Sequence, residues 1–183
     1  DAAVTLLADE LKRTAFYLPG VLAEKSLAER FAKAYADGAF SLHMTMTLMR
    51  LDAVSDIKKA AGHIRPVREE DLFFAPYWQR AFGEECRVEF YSIPETTERL
   101  RGQLRKDTLY VWEDAYPVSQ AAVGHITPNG AVVNGVYTPP HYRGRGYAAS
   151  CVAALSQLLL DRGHKYCALF ADADNPISCS IYR

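Results

Sequence analysis

A short run rich in arginine and glycine has the residue types and the spacing to bind an anion. Residues Arg143 to Ala148 read Arg-Gly-Arg-Gly-Tyr-Ala and stand directly before a helical pattern. The first N–H groups of a helix have no partner within the helix, and the helix dipole adds partial positive charge there. Glycines let the backbone approach a phosphate closely, and the small side chain of Ala148 avoids a clash. The sequence therefore predicts a phosphate-binding loop at this point.

The elements around this loop fit that prediction. A strand is expected over 131–138, and its Asn134-Gly135 pair is interpreted as a bulge because only three residues separate it from the Asn129-Gly130 turn. After the loop, apolar residues at helical spacing predict a long helix that ends at Gly163. The continuous apolar run 166–171 then predicts a strand covered on both faces. Strand, bulge, loop, helix and buried strand together form an anion-binding design.

Two other phosphate-binding motifs fail on spacing. A Walker A loop requires Lys-Ser/Thr after its second glycine, and this chain has none there. A dinucleotide-binding fingerprint requires an acidic residue about 20 residues later, at the end of a second strand. The candidate acid, Asp161, instead stands near the end of the predicted helix.

Two segments resemble motifs of one family. Residues 136–148 resemble the Q/R-x-x-G-x-G/A acyl-CoA motif of GNAT acetyltransferases. Asn175-Pro176 followed by Ile181-Tyr182 resembles the N-x-x-(S/A)…(L/I)-Y segment that follows the fifth strand of that family. The resemblance covers about 63–183. It implies an α/β (α+β) GNAT fold, with a mixed, mostly antiparallel sheet, a bulged strand that splays from its neighbour, and flanking helices.

The resemblance also implies a function and a set of site residues. The implied function is an N-acetyltransferase that moves an acetyl group from acetyl-CoA to a primary amine by direct attack, with no metal. The backbone of Val136 and Thr138 would bind the pantetheine amides, and residues 143–148 would wrap the pyrophosphate. Tyr182 would protonate the leaving thiolate, because a phenol with a pKa of about 10 is protonated at neutral pH. The implied cosubstrate-binding residues are Val136, Tyr137, Thr138, Arg143, Gly144, Arg145, Gly146, Tyr147, Ala148 and Asn175.

The general base and the acceptor stay open at this stage. Many members of the family place a glutamate on the fourth strand, where this chain offers only Asn134. His125 and Glu113 are candidates for a base, or the amine arrives already neutral. Acidic residues that could attract a cationic amine are Glu84, Glu85 and Glu89. The missing glutamate also leaves a second hypothesis, a non-catalytic acyl-CoA-binding regulatory module.

Two domains are expected, a smaller α/β unit over 1–60 and the GNAT domain over 63–183. Helical patterns over 3–13 and 26–37 alternate with expected strands over 14–18 and 40–50. This order resembles a degenerate GNAT repeat, and an unrelated helical extension is the alternative. The family also has strands after the helix that contains Tyr182. We therefore expect an open sheet edge beside the last strand and further residues at both ends of the natural chain.

The composition indicates the cellular compartment and excludes some classes of partner. The formal net charge of −1 argues against a basic nucleic-acid-binding face. Cys86, Cys151, Cys167 and Cys179 lack metal-type or CxxC spacing, so we interpret them as free cysteines in a reducing compartment. No apolar run approaches the roughly 18 residues of a membrane span. We expect a cytoplasmic enzyme with an amine acceptor, and a homodimer is a further hypothesis.

Overall fold

The computed structural model describes residues 2–88 and 91–181, and of 177, 180 and 181 the backbone alone. The chain divides into two compact units, 1–45 and 46–183. The larger unit contains a six-stranded sheet with the order β1-β6-β5-β4-β3-β2. Its strands are β1 (Met46–Leu51), β2 (His63–Pro66), β3 (Leu109–Asp114), β4 (Tyr116–Ile126), β5 (Gly130–Tyr137) and β6 (Tyr166–Asp172). All neighbouring pairs are antiparallel except β5 and β6, which are parallel. The predicted mixed α/β fold is confirmed.

Helices flank this sheet. The smaller unit contains α1 (Ala2–Arg13) and α2 (Lys25–Tyr35), and the larger contains α3 (Ala75–Cys86), α4 (Ile93–Leu104), α5 (Tyr147–Asp161) and α6 (Pro176–Ile181). Short 3-10 turns cover Glu69–Phe73 and Pro140–Tyr142. Among the described residues, no helix combines the length and apolar character that a bilayer span requires.

Two apolar clusters hold the larger unit together. On one face of the sheet, the stripe predicted for α5 packs against strand residues. This cluster includes Tyr110, Val133, Leu155, Leu159 and Leu169, all with less than a tenth of their surface exposed. On the other face, Ala75 and Leu100 from α3 and α4 pack against Leu109, Val111 and Ala122. Both faces of the central strands are therefore covered. The loop between β5 and α5 thus connects two well-packed elements.

Strand β1 corrects two expectations. The edge beside β6 was expected to be open, but β1 pairs with β6 antiparallel from Met46↔Asp172 to Leu51↔Cys167. The expected strand over 40–50 therefore begins only at Met46, because β6 ends at Asp172 and offers no partner to 40–45. The strand assigned to the smaller unit belongs to the sheet of the larger one, so the compact units divide between 45 and 46.

The segment between β1 and β2 is tied to α5 and β3. Strands β1 and β2 lie at opposite edges of the sheet, so residues 52–62 must cross it. The Ala60 N–H donates to Ser150 Oγ at 2.8 Å, and Trp112 Nε1 donates to the Ala61 carbonyl at 2.8 Å. This segment is therefore fixed beside the first turns of α5.

The smaller unit lacks one of its expected strands. Residues 14–18 form no strand, because the Tyr35 hydroxyl takes up their backbone groups: it donates to the Phe16 carbonyl and accepts from Leu18 N–H at 3.2 Å. Helix α2 is capped by the side chain of Glu24, which accepts the N–H groups of Ser26 and Leu27. Within 2–45 one helix follows the other without a strand between them, so the strand that a degenerate GNAT repeat would have at this place is absent from the described residues.

A buried ion network joins β2, β3 and the 3-10 turn before α3. Arg65 donates to both oxygens of Asp71 at 2.7 and 3.0 Å, and to Glu113 Oε2 at 2.6 Å. Asp71 Oδ2 also accepts the N–H of Arg68 at 2.8 Å. The side chains of Arg65 and Asp71 are only 8% and 4% exposed. The carboxylates raise the pKa of Arg65, Asp71 most strongly, so the guanidinium stays charged while buried.

Replacing Asp71 with alanine is expected to lower the free energy of unfolding by about 3 kcal/mol, because it leaves a buried guanidinium with half its partners. Urea denaturation would measure the change. The matched control is Asp52→Ala, which removes an exposed partner of Arg50 and should cost less than about 1 kcal/mol. Equal losses in the two variants would contradict a structural role for the network.

Candidate active site

The predicted bulge lies in β5, at the residues where the sequence indicated it. Gln120 pairs with Tyr137 and Ala122 with Asn134, so two steps along β4 face three along β5. Gly135 has a φ of +58°, a backbone conformation that residues with a side chain rarely adopt. The bulge at Asn134-Gly135 is confirmed.

Beyond its first residues, β5 separates from β6. The two strands pair in parallel at Gly130↔Tyr166, Ala131↔Cys167 and Val132↔Ala168. Both strands continue, β5 to Tyr137 and β6 to Asp172, without further pairing between them. The splayed pair that the family resemblance implied is therefore present, and its open end leads into the Arg/Gly loop.

Two glycines with a left-handed backbone conformation connect the loop to α5. Gly144 has a φ of +76° and Gly146 a φ of +78°. Gly146 is the N-cap of α5, and no side chain at this position accepts a hydrogen bond from the first turn. Unpaired N–H groups at a helix start attract an anion. Such groups, a left-handed cap and the adjacent arginines are the features that a phosphate site requires.

Arg143 connects the loop to α3 and to the end of β5. Its Nη2 donates to the two carboxylate oxygens of Glu85 at 2.9 and 2.7 Å, and its Nε donates to the Thr138 carbonyl at 2.8 Å. The guanidinium also lies 5.8 Å from the centre of the Tyr137 ring. The side chains of Arg143 and Glu85 are 47% and 46% exposed. The positive charge predicted at the loop is thus engaged by a carboxylate of α3.

The next residues divide into a buried and an exposed side. The Tyr147 hydroxyl donates to Asp114 Oδ2 at 2.6 Å, and this hydrogen bond is the main reason the pKa of Tyr147 lies above its ordinary value. Arg145 is exposed, and Ala148 is half-buried in the first turn of α5. Tyr147 therefore anchors the start of α5 to the end of β3, while Arg145 faces solvent.

The end of β5 is held by polar side chains of β4 and by α3. Ser119 donates to the Tyr137 carbonyl at 3.2 Å and shares a hydrogen bond of 2.8 Å with the Thr138 hydroxyl. The ring of Tyr137 lies 6.2 Å from that of Trp78 on α3. Burial raises the pKa of Tyr137, and the Glu85 carboxylate adds to this effect. Val136 is half-buried at the bulge.

The second predicted motif is described only in part. Asn175 caps α6, since its Oδ1 accepts the N–H of Ser178 at 3.1 Å. Tyr182, the predicted proton donor, lies outside the described residues.

Of the two candidates for a general base, one is held in an ion pair and the other lies away from the splayed end of β5. Glu113 is bound by Arg65, with the two groups 2.5 Å apart. His125 is exposed near the β4–β5 hairpin, whereas the loop follows the opposite end of β5. Asn134 lies over Gly124, where an added Cβ would come within 2.5 Å of its side-chain nitrogen. Of the residues expected to attract an amine, Glu84 pairs with Arg80, Glu85 pairs with Arg143, and Glu89 lies outside the described residues.

The four cysteines are free. Cys151 is fully buried in the core, and burial raises the pKa of its thiol to about 12, so it is not a thiolate nucleophile at neutral pH. Cys167 and Cys179 are also buried. Across 2–88 and 91–181, no group of three or more His, Cys, Asp or Glu residues is placed to hold a metal ion.

Comparison with protein families decides the class of the protein. The model of the acetyltransferase (GNAT) family matches residues 71–183, which include the splayed strands, the loop and α5. The chain belongs to the GNAT family. At the level of this family it is an acyltransferase, and the implied GNAT fold is confirmed.

Solved GNAT structures have the same fold. A predicted acetyltransferase from Clostridium acetobutylicum, solved with acetyl-CoA, is 18% identical at a TM-score of 0.52, over 64% of this chain and 86% of that one. An acetyltransferase of the GNAT family from Colwellia psychrerythraea is 9% identical at a TM-score of 0.62, over 85% of this chain and 56% of its own. A GCN5-related N-acetyltransferase from Ralstonia eutropha is 17% identical at a TM-score of 0.51, over 65% and 90%. No curated protein matches the chain.

Four contacts of the site were not expected from the sequence. Ser119 and Gln120 form buried hydrogen bonds to the backbone of β5, Asp114 anchors Tyr147, and Glu85 binds Arg143. Ser119-Gln120 is a polar pair inside the run Val118–Val123, and this break in an apolar strand was the available signal. Asp114 and Glu85 carried none, because their partners are 33 and 58 residues away in the sequence.

Proposed function

We propose that this GNAT protein transfers an acetyl group from acetyl-CoA to a primary amine by direct attack. The observation that carries the proposal is the bulged end of β5, which separates from β6 and leads through two left-handed glycines to the start of α5. A thioester held along β5 would place its phosphates at that helix start.

The residues present fit a CoA thioester. The pyrophosphate would be wrapped by 143–148 and bound by the N–H groups of 144–148, since the Arg143 N–H already donates to the Pro140 carbonyl and Gly146 provides no competing side-chain cap. The pantetheine amides would be bound by the backbone of Val136 and Thr138, at the part of β5 that has no partner in β6. The GNAT structure from Clostridium acetobutylicum was solved with acetyl-CoA, which supports this cosubstrate. Asn175, at the start of α6, is the remaining proposed contact.

In the proposed reaction, the amine nitrogen attacks the thioester carbonyl carbon, and the C–S bond then breaks. The Val136 N–H stabilises the negative charge that develops on the carbonyl oxygen, since a fixed backbone donor there needs no reorganisation. Tyr182 donates its phenolic proton to the departing thiolate. The amine arrives neutral and loses its extra proton to water, because Glu113 is already bound by Arg65.

The ion pairs of the acidic side chains favour one alternative to catalysis. Asp71, Glu84, Glu85 and Glu113 each have a cationic partner. A protein without a base could bind an acyl-CoA and act as a regulatory module without catalysis.

An amine panel separates the two functions. Purified protein with acetyl-CoA is assayed for thiol release against polyamines, amino acids, amino sugars and peptide amines. The enzyme releases CoA with at least one acceptor class above the rate without protein. Binding of acetyl-CoA with no release across the panel would support the regulatory module instead.

Glu85→Gln is expected to tighten acetyl-CoA binding by about three- to fivefold, because it frees Arg143 and removes a negative charge near the phosphate loop. This range matches the roughly 0.2–1 kcal/mol of an exposed ion pair. Titration at low ionic strength, where screening is weak, would measure it. Glu84→Gln is the matched control on the same helix, since its partner is Arg80. Unchanged or weaker binding by Glu85→Gln would contradict the competition.

A further inference from the structure

Gln120 is a fully buried amide in an otherwise apolar strand. Its side chain is 0% exposed, and its Nε2 donates to the Gly135 carbonyl at 3.3 Å. Its Oε1 has no hydrogen-bond partner among the described residues. Turning the amide over would bring two oxygens together and lose this bond. Burying an unpaired amide oxygen costs free energy, which an apolar side chain of similar size would avoid. Packing alone therefore does not explain the glutamine.

The bond that Gln120 makes is at the bulge. A bulge leaves its extra residue outside the regular ladder, so a backbone group there needs another partner. Gln120 supplies that partner to Gly135. Its neighbour Ser119 does the same for the Tyr137 carbonyl at 3.2 Å. Two consecutive side chains of β4 thus hold the backbone of β5 where it leaves β6.

Peptide geometry turns this bond into a constraint on Val136. The carbonyl of Gly135 and the N–H of Val136 belong to one planar, trans peptide group and point in opposite directions. Since the Gly135 carbonyl is held by the side chain of Gln120, the Val136 N–H points away from that side chain. Strand β6 is the other neighbour of β5, and its pairing with β5 ends at Val132↔Ala168. At Val136, β6 is therefore not paired with β5, and a thioester has access to the backbone on that side.

We propose that Gln120 is a positioning residue that aims the Val136 N–H at the acyl carbonyl of the bound thioester. This inference rests on the proposed function. The amide of Gln120 touches neither substrate nor cosubstrate and acts through the Gly135–Val136 peptide. Without its bond, Gly135 is free to rotate, because a glycine with a φ of +58° has other conformations open to it.

The test combines turnover with the infrared band of acetyl-CoA carrying ¹³C at its acyl carbonyl. In the wild-type protein, a hydrogen bond from Val136 shifts this band to lower wavenumber on binding. In Gln120→Met the shift is lost and kcat falls by about tenfold or more, as for a misdirected donor to a developing oxyanion. The Kd for CoA, which lacks the acyl group, stays within about twofold. Gln103→Met is the matched control, because Gln103 on α4 also has a buried Oε1 without a described partner.

The outcomes separate the inference from the proposed function. A Gln120→Met protein that keeps both the band shift and kcat overturns the inference alone. A wild-type protein that does not bind acetyl-CoA overturns both. Should Gln120→Met fail to fold, Gln120→Leu also removes the donor to the Gly135 carbonyl, with a shorter apolar side chain. The same loss of band shift and kcat is expected there, and wild-type values in that variant overturn the inference.

Discussion

Gly146→Val is expected to weaken acetyl-CoA binding by about 100-fold or more while the protein stays folded. The left-handed φ of +78° is strained for a β-branched residue, so the backbone would rotate and redirect the first N–H groups of α5. Loss of two hydrogen bonds to a charged phosphate, at about 1.5–3 kcal/mol each, corresponds to this factor. The added Cβ itself has room, since its nearest neighbour is Ala60 Cβ at 4.0 Å.

Gly163→Val separates the effect on binding from backbone strain. Gly163 follows the other end of α5, has a φ of +97°, and has no atom within 4 Å of an added Cβ. Both variants should lose similar thermal stability, because both force valine into a left-handed conformation. Only Gly146→Val should lose the ligand. Equal affinities in the two variants would place the phosphates elsewhere.

Tyr182→Phe is expected to lower kcat by about 100- to 10,000-fold, the usual contribution of a positioned proton donor. The phenylalanine keeps the ring and loses only the hydroxyl, so the Kd for acetyl-CoA should stay within about twofold. Steady-state thiol release with the best acceptor from the amine panel, together with a binding titration, would measure both values.

Tyr166→Phe is the control for this variant. Tyr166 begins β6, at the end of the β5–β6 pair away from the loop, and its ring lies 4.3 Å from the guanidinium carbon of Arg50. The substitution keeps that contact and should leave kcat unchanged. Full activity in Tyr182→Phe would mean that water or the substrate ammonium protonates the thiolate.

The elements around the phosphate loop could be predicted because their signals are local. The apolar stripe of α5, the buried run of β6 and the Asn134-Gly135 bulge each depend on residues close together in the sequence. Spacing alone placed the loop between strand and helix.

The features that could not be predicted depend on distant partners. Strand β1 pairs with β6, more than 100 residues later, so no local pattern shows which edge it occupies. The expected strand over 14–18 had suitable residues, but the Tyr35 hydroxyl takes its backbone groups. Glu113 was a candidate general base for the same reason: its partner Arg65 is distant in the sequence, and only the fold shows the ion pair between them. The sequence shows Gln120 as a polar residue in an apolar strand, but it does not show that Gln120 binds the Gly135 carbonyl.

Calorimetric titration of the wild-type protein with acetyl-CoA shows whether this chain binds the cosubstrate at all. Titrations at two temperatures prevent a binding enthalpy near zero from hiding the interaction, because the heat capacity change moves the enthalpy away from zero at one of them. We expect saturable binding of one acetyl-CoA per chain at both temperatures, weakened by about 100-fold or more in Gly146→Val and retained in Gly163→Val. No saturable heat at either temperature would contradict it.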